Sequence, residues 1–298
     1  MAVVATGFFD GVHLGHRAVL DTMVAEARRR GTESVVVTFW PHPRNVLQQD
    51  AETLRLLSSL GEKRSLCLAA GADRFEVLHF TRDFARLTAE DFIREYLKSR
   101  FDADTLVLGS DHRLGCDPFP SSEAMAGTVR SSGLEPVFVD DRRAPGGRNV
   151  SSTLIRSLIA SGEVREASGL LGYRYPLEGV VVPGARVGRS IGYPTANISL
   201  CEPLKLVPAG GVYLVAVEVL GKSYRGICNI GTRPTLSDGR GKTIETHILD
   251  FNEDIYGICI TVTFLERLRD ERRFPSLAEL TAQLARDEEA ARAAVGFG

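Results

Sequence analysis

The segment Gly7-Phe8-Phe9-Asp10-Gly11-Val12-His13-Leu14-Gly15-His16 follows a short apolar run and enters a helical pattern. A helix N-terminus presents unpaired N–H groups and the positive end of the helix dipole, which suits phosphate. His13 and His16, three residues apart, can turn both imidazoles toward one anion, and Gly7, Asp10 and Gly15 are the accompanying phosphate-site candidates. A lone histidine in such a turn would read as a surface residue. The H-x-G-H spacing at a strand-to-helix junction is what singles this pair out.

Four further segments carry candidate chemistry. Ser151-Ser152-Thr153-Leu154-Ile155-Arg156 opens a helix on which Ser152 and Arg156 share a face, so Ser152, Thr153 and Arg156 form a second phosphate grip; ordinary N-capping is the alternative. In Gly188-Arg189-Ser190-Ile191-Gly192-Tyr193-Pro194-Thr195-Ala196-Asn197, Gly188, Arg189 and Gly192 read as a loop over phosphates. Pro194 favours extended chain there, with the hard oxygens of Thr195 and Asn197 on one face as Mg²⁺ ligands. A barrel turn with incidental polar residues is the other reading of that loop. Ile244–Phe251 alternates so that Glu245 and His247 share a face, and Glu245 is a candidate base if that face lines a cavity. Two loops, Thr38–Arg44 with His42 and Gly109–Gly115 with Asp111, end strand candidates where open sheets bind ligands. Leu268–Phe274, which contains Arg269, reads by itself as a solvated charge run.

The elements that must position these residues change character along the chain. The first half gives strands over Ala2–Thr6, Ser34–Phe39, Phe75–Phe80, Thr105–Gly109 and Glu135–Val139. Helical patterns over Gly15–Arg30, Glu62–Ala70, Ala89–Ser99 and Ser121–Arg130 lie between them, and Ser151–Ser161 follows. Strands alternating with helices predict a parallel, Rossmann-like α/β sheet. After Gly172 come strands over Leu177–Val182, Val212–Leu220, Tyr224–Ile230, Ile244–Phe251 and Ile258–Leu265, separated by Gly- and Pro-rich turns and closed by a helix over Ser276–Ala294. That pattern predicts a mainly antiparallel β-barrel with a C-terminal helix. The expected domains are 1–172 and 173–298, in line with a length of 298 residues.

Composition bounds the partners. With 36 basic against 38 acidic residues the net charge is −2, so no polybasic surface invites nucleic acid or a membrane, and a bound anion must be held by a local site. Five cysteines without a C-x-x-C pair argue against a disulfide framework and a zinc site, and fit a reducing, cytoplasmic setting. No apolar run reaches the roughly 18 residues of a membrane span.

Taken together, GFFDGVHLGH, TFWPHPR, GSDHRLG, SSTLIR, GRSIGYPTAN, GGVY, NIGTRPT and ETHILDF, in this order, resemble the prokaryotic bifunctional riboflavin kinase/FMN adenylyltransferases, also called FAD synthetases. The resemblance implies a nucleotidylyltransferase domain that adenylylates FMN and a barrel that phosphorylates riboflavin. It implies ATP, riboflavin, FMN and FAD as substrates or products, with Mg²⁺. His13 and His16 would stabilise the ATP phosphates, and Ser152, Thr153 and Arg156 the departing pyrophosphate. Thr195 and Asn197 would be the Mg²⁺–ATP ligands, Glu245 the base for the riboflavin hydroxyl, and Asp111 and Arg269 flavin-contacting residues. The chain would act as a monomer or weak homo-oligomer. Phe8, Leu114 and Cys116 depart from the usual pattern where flavin should sit, which keeps open an active kinase with a weak or altered-specificity transferase domain. A non-catalytic flavin-binding regulator is the alternative from another class.

Overall fold

The computed structural model describes residues 1–47, 54–110, 112–143, 147–184, 188, 191–232 and 242–294. Packing divides the chain into two units, Met1–Ser152 and Thr153–Gly298.

The first unit is a parallel sheet of β1 (Ala2–Thr6), β2 (Glu33–Trp40), β3 (Arg74–His79), β4 (Ala103–Gly109) and β5 (Glu135–Val139), in the order β3-β2-β1-β4-β5. Its helices include α1 (Leu14–Arg30), α2 (Leu60–Ala69) and α3 (Ser122–Ser131). β1 is buried along its whole length because both sheet faces are covered. On one face Val3, Ala5 and Val36 pack with Leu20 and Met23 of α1. On the other, Val4, Val35 and Val37 pack with Ile93, Leu97 and Val129. Strand order reverses at β1, so the crevice beyond the carboxyl ends of β1 and β4 is where such a sheet binds ligands. A hydrogen bond of 3.1 Å between Thr6 Oγ1 and His112 Nε2 joins the two strand ends there.

The single helix expected over Ala89–Ser99 is interrupted. An α-turn at Ala89–Phe92 passes into a π-helix at Ile93–Lys98 and back to α at Ser99–Phe101. The buried Ile93, Leu97 and Phe101 recur every four residues, wider than the α-helical 3.6, and a π turn accommodates that spacing.

The second unit begins in the first turn of α4 (Ser152–Ser161), continues through α5 (Val164–Leu171), and enters the barrel. Six antiparallel strands close it: β6 (Pro176–Val182), β7 (Ala196–Leu200), β8 (Gly211–Val219), β9 (Lys222–Thr232), β10 (Lys242–Ile248) and β11 (Cys259–Arg269), in the order β10-β7-β6-β11-β8-β9. Closure leaves no unpaired edge. Leu177, Val217, Ile244, Val262 and Phe264 are buried in its core. Both β7 and α5 are additions to the sequence reading. The helix α6 (Leu277–Ala293) starts at Ser276, whose side chain accepts from Glu279 N–H, and buries Asp287 and Ala291. Among the described residues no helix is long and apolar enough to cross a membrane.

Candidate functional sites

The turn after β1 is held in a shape that ordinary residues resist. Phe9 and Val12 take left-handed backbone angles (φ 50° and 37°) alongside Gly11 (φ 78°), a costly arrangement that survives only when its surroundings over-determine it. Asp10 supplies much of that restraint. Its buried carboxylate accepts Leu57 N–H at 3.0 Å and Ser58 N–H at 3.1 Å, while Ser58 Oγ accepts Gly11 N–H at 3.0 Å. Thr38 Oγ1 donates to Phe8 O at 3.2 Å, and Ser152 Oγ donates to Asp10 O at 3.0 Å. Asp10 thus holds the turn in place through its carboxylate.

At the end of this turn His13 caps α1, its Nδ1 accepting His16 N–H at 3.3 Å. The His13 and His16 rings stack with centroids 3.7 Å apart and an interplanar angle of 15°, so the H-x-G-H spacing brings both imidazoles together. A Cβ on Gly15 would lie 3.2 Å from the His13 ring, which explains the glycine. Ser152 reaches the same turn. Thr153 and Arg156 follow on α4, and Asp111 lies outside the described residues.

Sequence reasoning missed Lys63. It lies on α2 in an E-K-R triplet that looks like a solvated face, yet it is fully buried. Among the described residues its Nζ has no hydrogen-bond partner, and it sits 3.5 Å from the centroid of the Phe8 ring. Burial pulls its pKa from 10.5 down to about 8, against the opposing pull of the Asp10 carboxylate.

Beyond the ends of β1 and β4 opens a cavity of about 710 Å³, walled by Phe39, Phe80, Phe84, Phe92 and Phe119, with the His112 imidazole and Thr6 at its polar end. Desolvation pushes the His112 pKa down to about 4, so the imidazole is neutral at pH 7. A broad apolar cavity with one hydrogen-bonding imidazole suits a planar heteroaromatic ring. Of the three departures noted above, Leu114 is fully buried in the core and Phe8 packs edge-on against His42 with centroids 3.9 Å apart. Cys116 does face the cavity, with its thiol directed to Arg86 O at 3.3 Å.

In the barrel, Glu245 of β10 lies between two amides. It is directly opposite Asn197 on β7 and Asn229 on β9, the latter also missed from sequence. Alternation buries Ile244, Thr246 and Ile248 while Glu245 and His247 face outward, into a cavity of about 300 Å³ shared with Thr195, Gly188, Asn229 and Arg269. His247 Nδ1 lies 2.8 Å from Pro194 O and pins the segment that carries Thr195. Thr195 also borders a second cavity of about 240 Å³ lined by Val181, Phe251, Ile255 and Tyr256.

The chain is folded tightly around these oxygens. A Cβ on Gly184 would lie 2.1 Å from Asn197 Nδ2, and one on Gly188 would lie 2.2 Å from Tyr193 O. Hydroxyl, amide and carboxylate oxygens grouped in this way fit a hard cation such as Mg²⁺. Arg189 lies outside the described residues. Arg269 lines the larger cavity, but its guanidinium is paired with the buried Asp287 of α6 through contacts of 2.7, 3.0 and 3.1 Å.

These two sites coincide with two family models. FAD synthetase matches residues 1–154, and riboflavin kinase matches residues 171–295. Among curated relatives, the bifunctional riboflavin kinase/FMN adenylyltransferase of Escherichia coli K12 is 39% identical, covering 99% of this chain and 93% of its own length. That of Bacillus subtilis is 35% identical over 97% and 91%. A crystal structure described as a macrolide-efflux protein from Streptococcus pneumoniae superposes with a TM-score of 0.90 at 35% identity, covering 98% of this chain and 94% of that one.

Proposed function

The chain belongs to the bifunctional riboflavin kinase/FMN adenylyltransferase family, and on that premise we propose how its residues divide the two reactions. The enzyme phosphorylates riboflavin to FMN with ATP, and adenylylates FMN to FAD with release of pyrophosphate. Adenylyl transfer belongs to residues 1–172 and phosphorylation to residues 173–298.

In adenylyl transfer an FMN phosphate oxygen attacks the α-phosphorus of ATP and the bond to pyrophosphate breaks. The stacked His13 and His16, at the positive end of the α1 dipole, meet the charge that builds on the phosphates. Ser152, Thr153 and Arg156 hold the pyrophosphate side, and no covalent intermediate is needed. The flavin ring enters the 710 Å³ aromatic cavity, and Asp111 is its flavin-contacting residue.

In the kinase Glu245 takes the proton of the riboflavin 5′-hydroxyl as that oxygen attacks the γ-phosphorus of ATP, and ADP departs. Thr195 and Asn197 would hold Mg²⁺, which when bound neutralises charge on the ATP phosphates. The 240 Å³ cavity receives the nucleotide and the 300 Å³ cavity the flavin, with Thr195 on their common wall. Gly188 and Arg189 belong to the loop over the phosphates. Arg269 borders the flavin and acts through its pairing with Asp287.

The observation that carries this reading is the convergence of Thr195, Asn229 and Glu245 on one cavity, with Asn197 directly across from Glu245. We place the enzyme in a reducing cytoplasm, as a monomer or weak homo-oligomer without nucleic-acid or membrane partners. Five free thiols and a net charge of −2 are in keeping with this.

The test follows flavins by chromatography over time with riboflavin, ATP and Mg²⁺. Wild type yields FMN first and FAD later. Glu245→Gln stops FMN formation but still converts supplied FMN to FAD, whereas His16→Ala does the reverse. A single folded variant that fails both to phosphorylate riboflavin and to convert supplied FMN to FAD would refute the division.

A further inference from the structure

Away from both sites, three metal-binding side chains meet on the outer face of the barrel. Glu178 lies on β6, Cys259 opens β11, and Cys201 stands just past the end of β7. On β6, Leu177, Gly179 and Val181 are buried, so Glu178 points outward between them. Cys201 N–H donates to Glu178 O at 3.1 Å, and Cys259 pairs with Val180, two residues along the same outer face. The Sγ atoms of Cys201 and Cys259 are 3.8 Å apart, Cys259 Sγ lies 3.4 Å from Glu178 Oε1, and all three ligand atoms fall within 4.8 Å of one another.

The 3.8 and 3.4 Å spacings match two edges of a tetrahedron. With Zn–S near 2.3 Å and Zn–O near 2.0–2.2 Å, two thiolates on one zinc lie about 3.8 Å apart, and a thiolate and a carboxylate oxygen about 3.5 Å. A disulfide does not suit the same pair. β6 runs between β7 and β11, so the two cysteines belong to strands that are not neighbours, and their Sγ atoms, 3.8 Å apart, are well beyond an S–S bond of about 2.05 Å. A metal ion closes the gap without moving the backbone.

We propose that Glu178, Cys201 and Cys259 form a binding site for a borderline-soft divalent cation of the zinc class, with its fourth position open to solvent. Two thiolates disfavour Mg²⁺, so this site is chemically distinct from the hard-oxygen site at Thr195 and Asn197. No C-x-x-C pair announces it because the three ligands come from β6, β11 and the turn after β7. An ion here ties the far end of β7 to β6 and β11, and β7 is the short strand that begins with Ala196 and Asn197.

The test titrates Co²⁺ into the reduced, metal-free full-length protein and then adds Zn²⁺. The expected result is one Co²⁺ per chain with a thiolate-to-cobalt charge-transfer band that Zn²⁺ abolishes and excess Mg²⁺ does not. Cys201→Ser and Cys259→Ser each remove the band, Glu178→Gln weakens binding about tenfold or more, and Cys116→Ser, at the other exposed cysteine, leaves it intact. Far-UV circular dichroism checks that the variants are folded. The proposal is overturned by absence of the band in the reduced protein, by its survival in the Cys201→Ser/Cys259→Ser double variant, or by its displacement by Mg²⁺.

Discussion

Replacing Lys63 with Met should make the first unit more stable and the enzyme worse at making FAD. The buried ammonium has no hydrogen-bond partner among the described residues, and its pKa falls from 10.5 to about 8. At about 1.36 kcal/mol per unit, that drop corresponds to about 3 kcal/mol against the charged form. Met fills similar volume without charge. After allowing for the lost contact with the Phe8 ring, the expected gain at pH 7 is about 1–3 kcal/mol. The sign of the pH dependence follows from the depressed pKa. Between pH 8 and 10.5 the unfolded chain keeps the Lys63 proton that the folded chain has released, so wild-type stability rises with pH there and the advantage of Met closes. The role expected of such a group is electrostatic: were a phosphate bound over the turn about 8 Å from its Nζ, one positive charge at an effective dielectric near 20 would contribute about 2 kcal/mol, or roughly 30-fold in rate. Trp40, the only tryptophan, lies at the end of β2. Its fluorescence in urea therefore reports on the first unit alone. A Lys63→Met protein less stable than wild type at pH 7, or one making FAD from FMN at the wild-type rate, would refute this reasoning.

Other perturbations probe the same supports. Asp10→Ala leaves the buried Leu57 and Ser58 N–H groups without their carboxylate, so urea unfolding read by Trp40 should show a loss of about 2–6 kcal/mol. His112 titrates near 4 when folded and 6.5 when unfolded; the unfolded state binds the extra proton between these values, so the first unit should lose up to about 3 kcal/mol as pH falls from 6.5 to 4. In His112→Phe that acid sensitivity should vanish from the Trp40 unfolding curves. Asp287→Ala strands the Arg269 guanidinium and should lower barrel stability by about 3 kcal/mol and slow FMN formation; restored stability without restored kinase activity in Arg269→Met/Asp287→Leu would separate packing from flavin contact.

How much of this was legible in the sequence depends on the range of the interactions involved. β1 and α1 were, because continuous apolar burial and the H-x-G-H spacing are local, and the stacked imidazoles follow from them. The outward face shared by Glu245 and His247 was legible from alternation alone. β7 was not: Ala196-Asn197-Ile198-Ser199-Leu200 buries only Ile198 fully, and Pro194 and polar neighbours give it the look of a loop. α5 escaped because Ser168 and Gly169 interrupt its apolar pattern, although Ser168 is buried there with Leu170 and Leu171. Asn229 could be placed beside Glu245 only once the barrel had closed, since which strands become neighbours is a property of the whole ring. Lys63 is the clearest case: a lysine between Glu62 and Arg64 carries no local sign of burial, and only the packing of α2 against the turn puts it there.

On the proposed assignment the two sites handle phosphate by opposite means, which is why their losses should be separable. In the proposed adenylyl-transfer site of the first unit, a helix N-terminus, two stacked imidazoles and a buried lysine surround a strained turn. Disturbing the supports of that turn, Asp10 or Ser58, alters the site without touching a ligand. In the barrel, hard oxygens stand on adjacent strands of a closed sheet whose register fixes their spacing. A change there acts locally, because neighbouring ladder hydrogen bonds hold the strand in place whatever side chain it carries. Single substitutions at Glu245 or Asn229 should therefore leave the barrel folded and change only the chemistry, whereas single substitutions under the first-unit turn should change stability and FAD formation together.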